Sequence, residues 1–361
     1  MIISYCPSDE LAGWDELAGG GDLFVSRRWL DLRLSMVDQA RVGFLVAREA
    51  DGTLAGGLPV LRVAQADPEP DLLRTGTMLS LAGQAADSAR FDALTMPSLL
   101  CGGRQIGASR LLRQDPTVIA PLVSAALAQA GQLGLRSIAF LHVDGEDVDL
   151  RQALRAAGFV EFGSDTTYRL DLNEGGFDAY LARLSTSRRY QVRRDLRLLT
   201  EAGVRVRTLP LGEAPIDELA PLVAEREAKY GVESSARACE AELRVLAERF
   251  GSRAVVHAAW LDGALAGFSV FVEWKGHLYN RVLGFDYAVQ RELPVYFSTN
   301  FYQPIAFAPH FGATKVHYGQ LSGEAKIRRG CEAVPLFGYV RCLDPADQAV
   351  LAELSAAIPT R

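Results

Sequence analysis

Arg189, Arg193 and Arg197 recur every four residues, with Arg188 and Arg194 beside them. On a helix, positions i, i+4 and i+8 stack into one row, so this spacing lines guanidinium groups along one face. Planar forks of N–H donors grip phosphate or carboxylate oxygens in pairs. The chemistry to expect is anion binding: a pyrophosphate, a nucleotide, or the phosphates of an RNA acceptor stem. Between Tyr180 and Arg207 the chain carries eight arginines against Asp195 and Glu201, a segment of net +6 in a protein of net −6. The competing reading is a solvated helix face whose charges pair with the acidic remainder.

The row needs a helix to carry it. Ser185 or Ser187 is a candidate N-cap, Gly203 is a helix-ending residue, and the spacing predicts a basic helix over 187–203. Val192, Leu196 and Leu199 follow at i, i+4 and i+7, which gives the helix one buried stripe. Lysine is scarce: 34 of the 38 basic residues are arginine, and the lysines are Lys229, Lys275, Lys315 and Lys326. That bias fits a GC-rich coding sequence and makes each lysine more informative.

Further out, the chain repeats itself. Val46–Val63 reads strand, tight turn, strand around Asp51-Gly52, and Val255–Trp274 reads the same way around Asp262-Gly263. An Asp-Gly pair supplies the positive φ angles of a two-residue hairpin. The cores DGTLAG and DGALAG agree at five of six positions, 211 residues apart. Helical patterns precede each hairpin. A further strand, a long helix (Val118–Leu133; Val295–Phe307) and another strand (Ser137–His142; Lys315–Tyr318) follow. This order predicts an α/β domain with an antiparallel meander and one crossover. Two such domains, 1–165 and 166–361, fit the length of 361 residues.

Composition bounds the rest. The chain is 49% apolar and 23% charged, as expected of a soluble globular protein and not of a disordered, collagenous or wholly membrane-embedded one. Five scattered cysteines without a CxxC pair favour a reducing compartment, the cytoplasm. Five histidines without HxxxH or HExxH spacing lead us to expect no metal site. The N-terminus lacks a signal-peptide pattern. Pro116–Leu135 and Leu293–Thr314 carry no charge and are long enough to span a bilayer. Both contain proline and amides and read as buried helices, so no integral membrane contact is expected.

The stretch LSTSRRYQVRRDLRLLTEAGVRV (184–206) resembles the K/S-x-R-x-x-x-R-x-x-x-x-x-G-V segment of the Fem-like branch of the GNAT acyltransferase superfamily. The likeness continues through LYNRVLGFD (278–286) and HYGQLSGEAKIRRGCEAVPLFGYV (317–340). It extends over essentially the whole chain and is strongest from Phe177 to Val340. It implies two tandem GNAT-like domains, each a mixed, largely antiparallel sheet flanked by helices. It also implies amide-bond formation: an amine attacks an activated acyl carbonyl. Family members take the acyl group from aminoacyl-tRNA and pass it to peptidoglycan precursors or small antibiotics, whereas GNAT-like relatives use acyl-CoA.

The resemblance also assigns roles. The lysine of an aromatic-Lys-x-x-Gly-like segment maps onto Lys326, which would contact the donor end and stabilise the developing oxyanion, an effect worth about 3–4 kcal/mol. Ala325 stands where Fem enzymes tend to carry an aromatic. Candidates for proton transfer are Glu324, Tyr318, His317 and Asp286; Glu324 reads equally well as a salt-bridge partner of Arg328. The donor-binding set is Arg188, Arg189, Arg193, Arg197 and Arg329. Asn300 and Gln303, three apart on one helix face, together with Tyr296, form the acceptor set. Acyl-CoA enzymes hold the pyrophosphate on a glycine-containing loop at a helix N-terminus. The matching segment here is Gln290–Tyr296, without glycine and with Glu292. That loss and the arginine row favour aminoacyl-tRNA as donor, with a small-molecule or peptide amine as acceptor. An acyl-CoA N-acyltransferase and a non-catalytic binding module are the alternatives. A tandem fold that buries its equivalent edges is compatible with a monomer.

Overall fold

At the first Asp-Gly pair only Gly52 takes a positive φ, 89°. Gly52 N–H donates to the Glu49 carbonyl and Glu49 N–H to the Thr53 carbonyl. The loop is therefore longer than the two-residue turn expected from its sequence. At the second pair both Asp262 and Gly263 lie at positive φ, 52° and 86°, as a two-residue hairpin requires.

The computed structural model describes residues 1–6, 11–17, 22–34, 37–67, 69–84, 88–103, 108–172, 175–356 and 358. They divide into two units, Met1–Thr167 with Val334–Arg361, and Tyr168–Ala333. The sequence reading assigns the C-terminal tail to the second half instead.

The first unit contains β1 (Ile2–Cys6), β2 (Val42–Arg48), β3 (Leu54–Val63), β4 (Ser98–Cys101), β5 (Leu112–Arg113), β6 (Ser137–Asp144) and the start of β7 (Val160–Asp171). Its sheet runs β1-β2-β3-β4-β6-β13-β7, where β13 is Glu332–Cys342 and β5 pairs with β3. The place of β13 explains the division into units. It pairs antiparallel with β6 from Leu336 to Cys342, so the last strand fills a slot in the first sheet. Strands β1 to β4 form an antiparallel meander. β4 and β6 run parallel, joined through the helix Ile119–Gln132, whose Ile119, Leu122, Val123 and Ala126 are buried.

The second unit continues from the end of β7 through β8 (Arg205–Pro210), β9 (Ala254–Leu261), β10 (Ala264–Trp274), β11 (His277–Phe285) and β12 (Lys315–Gly319). The order is β7-β12-β11-β10-β9-β8. Pairing is antiparallel throughout except between β11 and β12, which are parallel. Alternation along the strands separates two faces. One lies under the helix Ile216–Lys229, where a Cβ at Gly284 would fall 2.8 Å from the Leu222 main chain. The other buries Val316, Tyr318 and Phe271 with Phe301, Tyr302 and Val192.

The basic helix spans Thr186–Glu201, and the Ser185 side chain accepts from Arg188 N–H at its start. Val192 and Leu199 are buried. The expected long helix at Val295–Phe307 is interrupted: Ser298–Tyr302 form a π-helical turn between α-helical ends. No helix among the described residues is long and apolar enough to cross a membrane.

Candidate active site

Parallel strands β11 and β12 stay paired for only three residues, from His277/Lys315 to Tyr279/His317. Beyond Tyr279, β11 runs on to Phe285 with no strand partner on that edge among the described residues. On its other side the register with β10 slips between Val270 and Phe271, which leaves Arg281 as an extra, bulged residue. Past this parting β11 has no strand ladder on that edge among the described residues.

Polar side chains gather there. Asn280 Nδ2 donates to Asn300 Oδ1 at 2.9 Å. Burial pushes the Tyr296 phenol up to about 12, while the Asn300 and Ser322 side chains pull it the other way. Tyr296 and Asn300 of the acceptor set are thus brought together, joined by Asn280 and Ser322, which sequence reasoning did not single out. Gln303 begins the α-helical turn that follows the π turn, so its spacing from Asn300 is not the regular α-helical i, i+3 of the expectation.

The chain leaves β12 through a strained turn: Gly319, Leu321 and Ser322 lie at φ 66°, 61° and 51°. For Leu321 and Ser322 that conformation costs roughly 1–3 kcal/mol each. Lys326 holds the turn. Its Nζ donates to the carbonyls of Tyr318, Gly319 and Gln320 at 2.8, 2.9 and 2.5 Å, and the residue is 3% exposed. An ammonium has three N–H donors, and all three are engaged on the main chain. On the short helix Gly323–Arg328 each residue turns roughly 100° from the last, so Lys326 faces the strand exit while Glu324, Ala325 and Arg328 face the opposite way. The expectation that Lys326 meets the donor is corrected on this ground.

Those outward residues line a cleft of about 640 Å³. Across from them stand Ser187, Arg188 and Gln191 of the basic helix, with Phe297 and Arg329 completing the wall. Arg329 is 4% exposed. Its Nη2 bonds Asp195 Oδ2 at 2.8 Å and its Nε donates to the Tyr302 hydroxyl at 2.9 Å. Tyr302 donates to Asp195 Oδ2 at 2.5 Å, and Gln191 Nε2 to Oδ1 at 2.7 Å. The guanidinium lies 3.7 Å from the Phe297 ring centroid, a cation–π contact. In an α-helix, Phe297 and Tyr302, five apart, would stand roughly 140° apart. The π turn between them lets both reach Arg329. Burial pushes the Tyr302 phenol up, so it stays a neutral donor.

The remaining candidates separate. Arg188 lines the cleft with Arg329. Arg189 Nη2 instead donates to the carbonyls of Ala182 and Leu184, closing the preceding helix. Arg193 and Arg197 are exposed on the basic helix outside the cleft lining, and Arg197 stands 3.7 Å from Glu201. Glu324 lines the cleft and is ion-paired with Arg328. Tyr318 is buried against Phe301, ring centroids 4.5 Å apart, with its hydroxyl unbonded among the described residues and its phenol raised by burial. A phenol in that setting cannot act as a base, and Tyr318 is core. His317 bonds His277 at 3.1 Å and stacks on Tyr279. Asp286 caps the helix Tyr287–Glu292. Asp195, Gln191, Phe297 and Tyr302 were missed. One signal was present: Asp195 sits three residues after Val192 on the apolar stripe, where a carboxylate must have a buried partner.

The model of the FemAB_like family, whose description is peptidoglycan biosynthesis/recognition, matches residues 96–357. The chain belongs to the FemAB_like family. No curated protein matches this FemAB_like chain. Among solved structures it is similar to FemX, with 12% identity and a TM-score of 0.60 over 94% of this chain and 97% of that one. It is also similar to L-PGS from Bacillus licheniformis (12%, TM-score 0.56, 98% of each chain). A third likeness is the C-terminal domain of a putative lysylphosphatidylglycerol synthetase from Agrobacterium fabrum (13%, 0.54, 87% and 88%). At these identities the likeness establishes the fold. The FemAB_like chain is an α/β protein of two units, each a mixed sheet flanked by helices, and shares its fold with FemX.

Proposed function

We propose that this protein is an amide-bond-forming transferase that moves an aminoacyl group from aminoacyl-tRNA to the amine of a small-molecule or peptide acceptor. The observation that carries the reading is the cationic cleft between the basic helix and the Gly323–Arg328 helix, in the same unit as the parted strands β11 and β12.

The acyl carbonyl would lie along the unpaired edge of β11. Fixed main-chain N–H groups there can stabilise the oxyanion that forms under attack, by about 3–4 kcal/mol. The Asn280, Asn300, Tyr296 and Ser322 row would orient the incoming amine. The new C–N bond forms as the ester C–O bond to the terminal ribose breaks, and the proton lost by nitrogen goes to the leaving ribose oxygen. No protein base is required, in keeping with Glu324 and Asp286 being engaged in an ion pair and a helix cap.

Support for tRNA over CoA comes from the second helix after β11, the one that follows Tyr287–Glu292. It starts at Val295, behind Leu293 and Pro294. Proline has no N–H, which removes one of the donors that would cradle a pyrophosphate. The exposed Arg193 and Arg194 extend positive charge along the basic helix beyond the cleft, as a nucleic-acid donor would use.

The deciding experiment is a donor screen. The protein is incubated with total charged tRNA or with a panel of acyl-CoAs and an amine pool, and product masses are read. Charged tRNA should support product and RNase should abolish it. Turnover that survives RNase, or that requires acyl-CoA, would overturn the reading.

A further inference from the structure

Arg329 is buried, yet it is not used up. Two of its nitrogens are engaged, Nε with Tyr302 and Nη2 with Asp195. Nη1 has no hydrogen bond among the described residues, and the residue forms part of the cleft wall. An arginine held by a carboxylate, a phenol and an aromatic face is already desolvated and oriented. Such a group binds an oxyanion with little further ordering.

We infer that Arg329 is the anion receptor of the cleft and that its ligand is a single phosphodiester, the internucleotide linkage near the 3′ end of the donor. Charge selects the monoanion. Arg188, Arg328 and Arg329 face Glu324, with Asp195 directly behind Arg329, so three positive charges stand against two negative. A net +1 matches one phosphodiester. A pyrophosphate would add two or more negative charges beside Glu324. The outer fork of the guanidinium, between Nη1 and Nη2, suits two oxygens of one phosphate. Phe297 and Tyr302, aligned by the π turn, are positioning residues that fix its plane.

This inference rests on the reading that the cleft takes the donor, and its test reads binding, not turnover. The full chain is titrated calorimetrically with cytidylyl-adenosine, which carries one phosphodiester, and separately with inorganic pyrophosphate and desulfo-CoA. The dinucleotide should bind best. Arg329→Lys keeps the charge beside Asp195 but loses the fork, and should weaken the dinucleotide by about tenfold or more, the worth of a charge-assisted hydrogen bond. Tyr302→Phe preserves volume and serves if Arg329→Lys does not fold. It should cost about threefold or more and narrow the preference for the dinucleotide over pyrophosphate, which a purely structural role would leave unchanged. Unaltered dinucleotide binding in a folded Arg329→Lys or Tyr302→Phe protein overturns the inference. So does Arg329-dependent binding of pyrophosphate or desulfo-CoA that is tighter than that of the dinucleotide. If the dinucleotide binds through Arg329 but charged tRNA yields no product, the receptor stands and the proposed function falls. If charged tRNA yields product while Arg329→Lys binds the dinucleotide normally, the reverse holds.

Discussion

Arg329 Nη2 meets Asp195 Oδ2 at 2.8 Å across 134 residues of chain, with both side chains about 5% exposed or less. The pair ties the basic helix to the end of the Gly323–Arg328 helix and holds Arg329 in the cleft wall. Because the charges are desolvated, neither partner tolerates the loss of the other.

Asp195→Ala should therefore lower the unfolding free energy by about 3–5 kcal/mol, since it leaves a guanidinium buried and uncompensated. The double variant Asp195→Ala, Arg329→Met should recover part of that loss. Urea denaturation of the four proteins of the cycle checks both statements. A single-variant cost under about 1 kcal/mol would show the pair to be solvated.

Lys326→Met removes three hydrogen bonds from a turn with two strained non-glycine residues. Stability should fall by about 2–4 kcal/mol, as for bonds from a charged donor whose acceptors are buried or half-buried. Amide exchange at residues 318–322 should accelerate more than elsewhere. If turnover collapsed while stability and exchange stayed unchanged, the ammonium would be acting on substrate instead.

Tyr318→Phe deletes a hydroxyl that is buried without a hydrogen-bond partner among the described residues. The expected result is stability unchanged or raised by up to about 1 kcal/mol, with turnover unchanged. A large loss of rate at normal stability would restore Tyr318 to the chemistry.

Arg193→Gln and Arg197→Gln change exposed groups outside the cleft. Stability should stay within about 0.5 kcal/mol. Binding of tRNA should weaken, and each lost phosphate contact should reduce the slope of log K against log salt by roughly 0.7–0.9. Filter binding across a salt series would show it, and an unchanged slope would remove these residues from the RNA interface.

Acid should weaken the fold through two histidines. Burial pushes the His257 imidazole down to about 3 and, against a hydrogen bond to the Leu72 carbonyl, His142 down to about 4. The unfolded chain takes up these protons near pH 6.5 while the native state does not. Stability is then fully present above pH 6.5 and is lost as pH falls towards 4 and 3, by up to about 1.4 kcal/mol per pH unit per residue. Urea midpoints from pH 7 to 4, with imidazole NMR titrations, test this. Either ring protonating near pH 6.5 in the folded protein would contradict it.

What the sequence determined by itself was local. Ser185 and Gly203 bound the basic helix because a cap and a left-handed residue act within one turn. Alternating apolar strands around Asp262-Gly263 close a hairpin because both residues accept positive φ. The repeated order of elements led to the tandem fold for the same reason. The arginine row and Arg329 read alike in the sequence, since all carry the same charge. Tertiary structure set their surroundings apart. Arg189 turns back to close a helix, Arg197 stands in solvent, and Arg329 becomes the buried one because Asp195, 134 residues away, supplies its counter-charge. Lys326 looked chemical for its rarity, and the phase of a six-residue helix turned it onto three carbonyls. The π turn and the parting of β11 from β12 depend on packing between segments far apart in the chain, which no short-range pattern encodes.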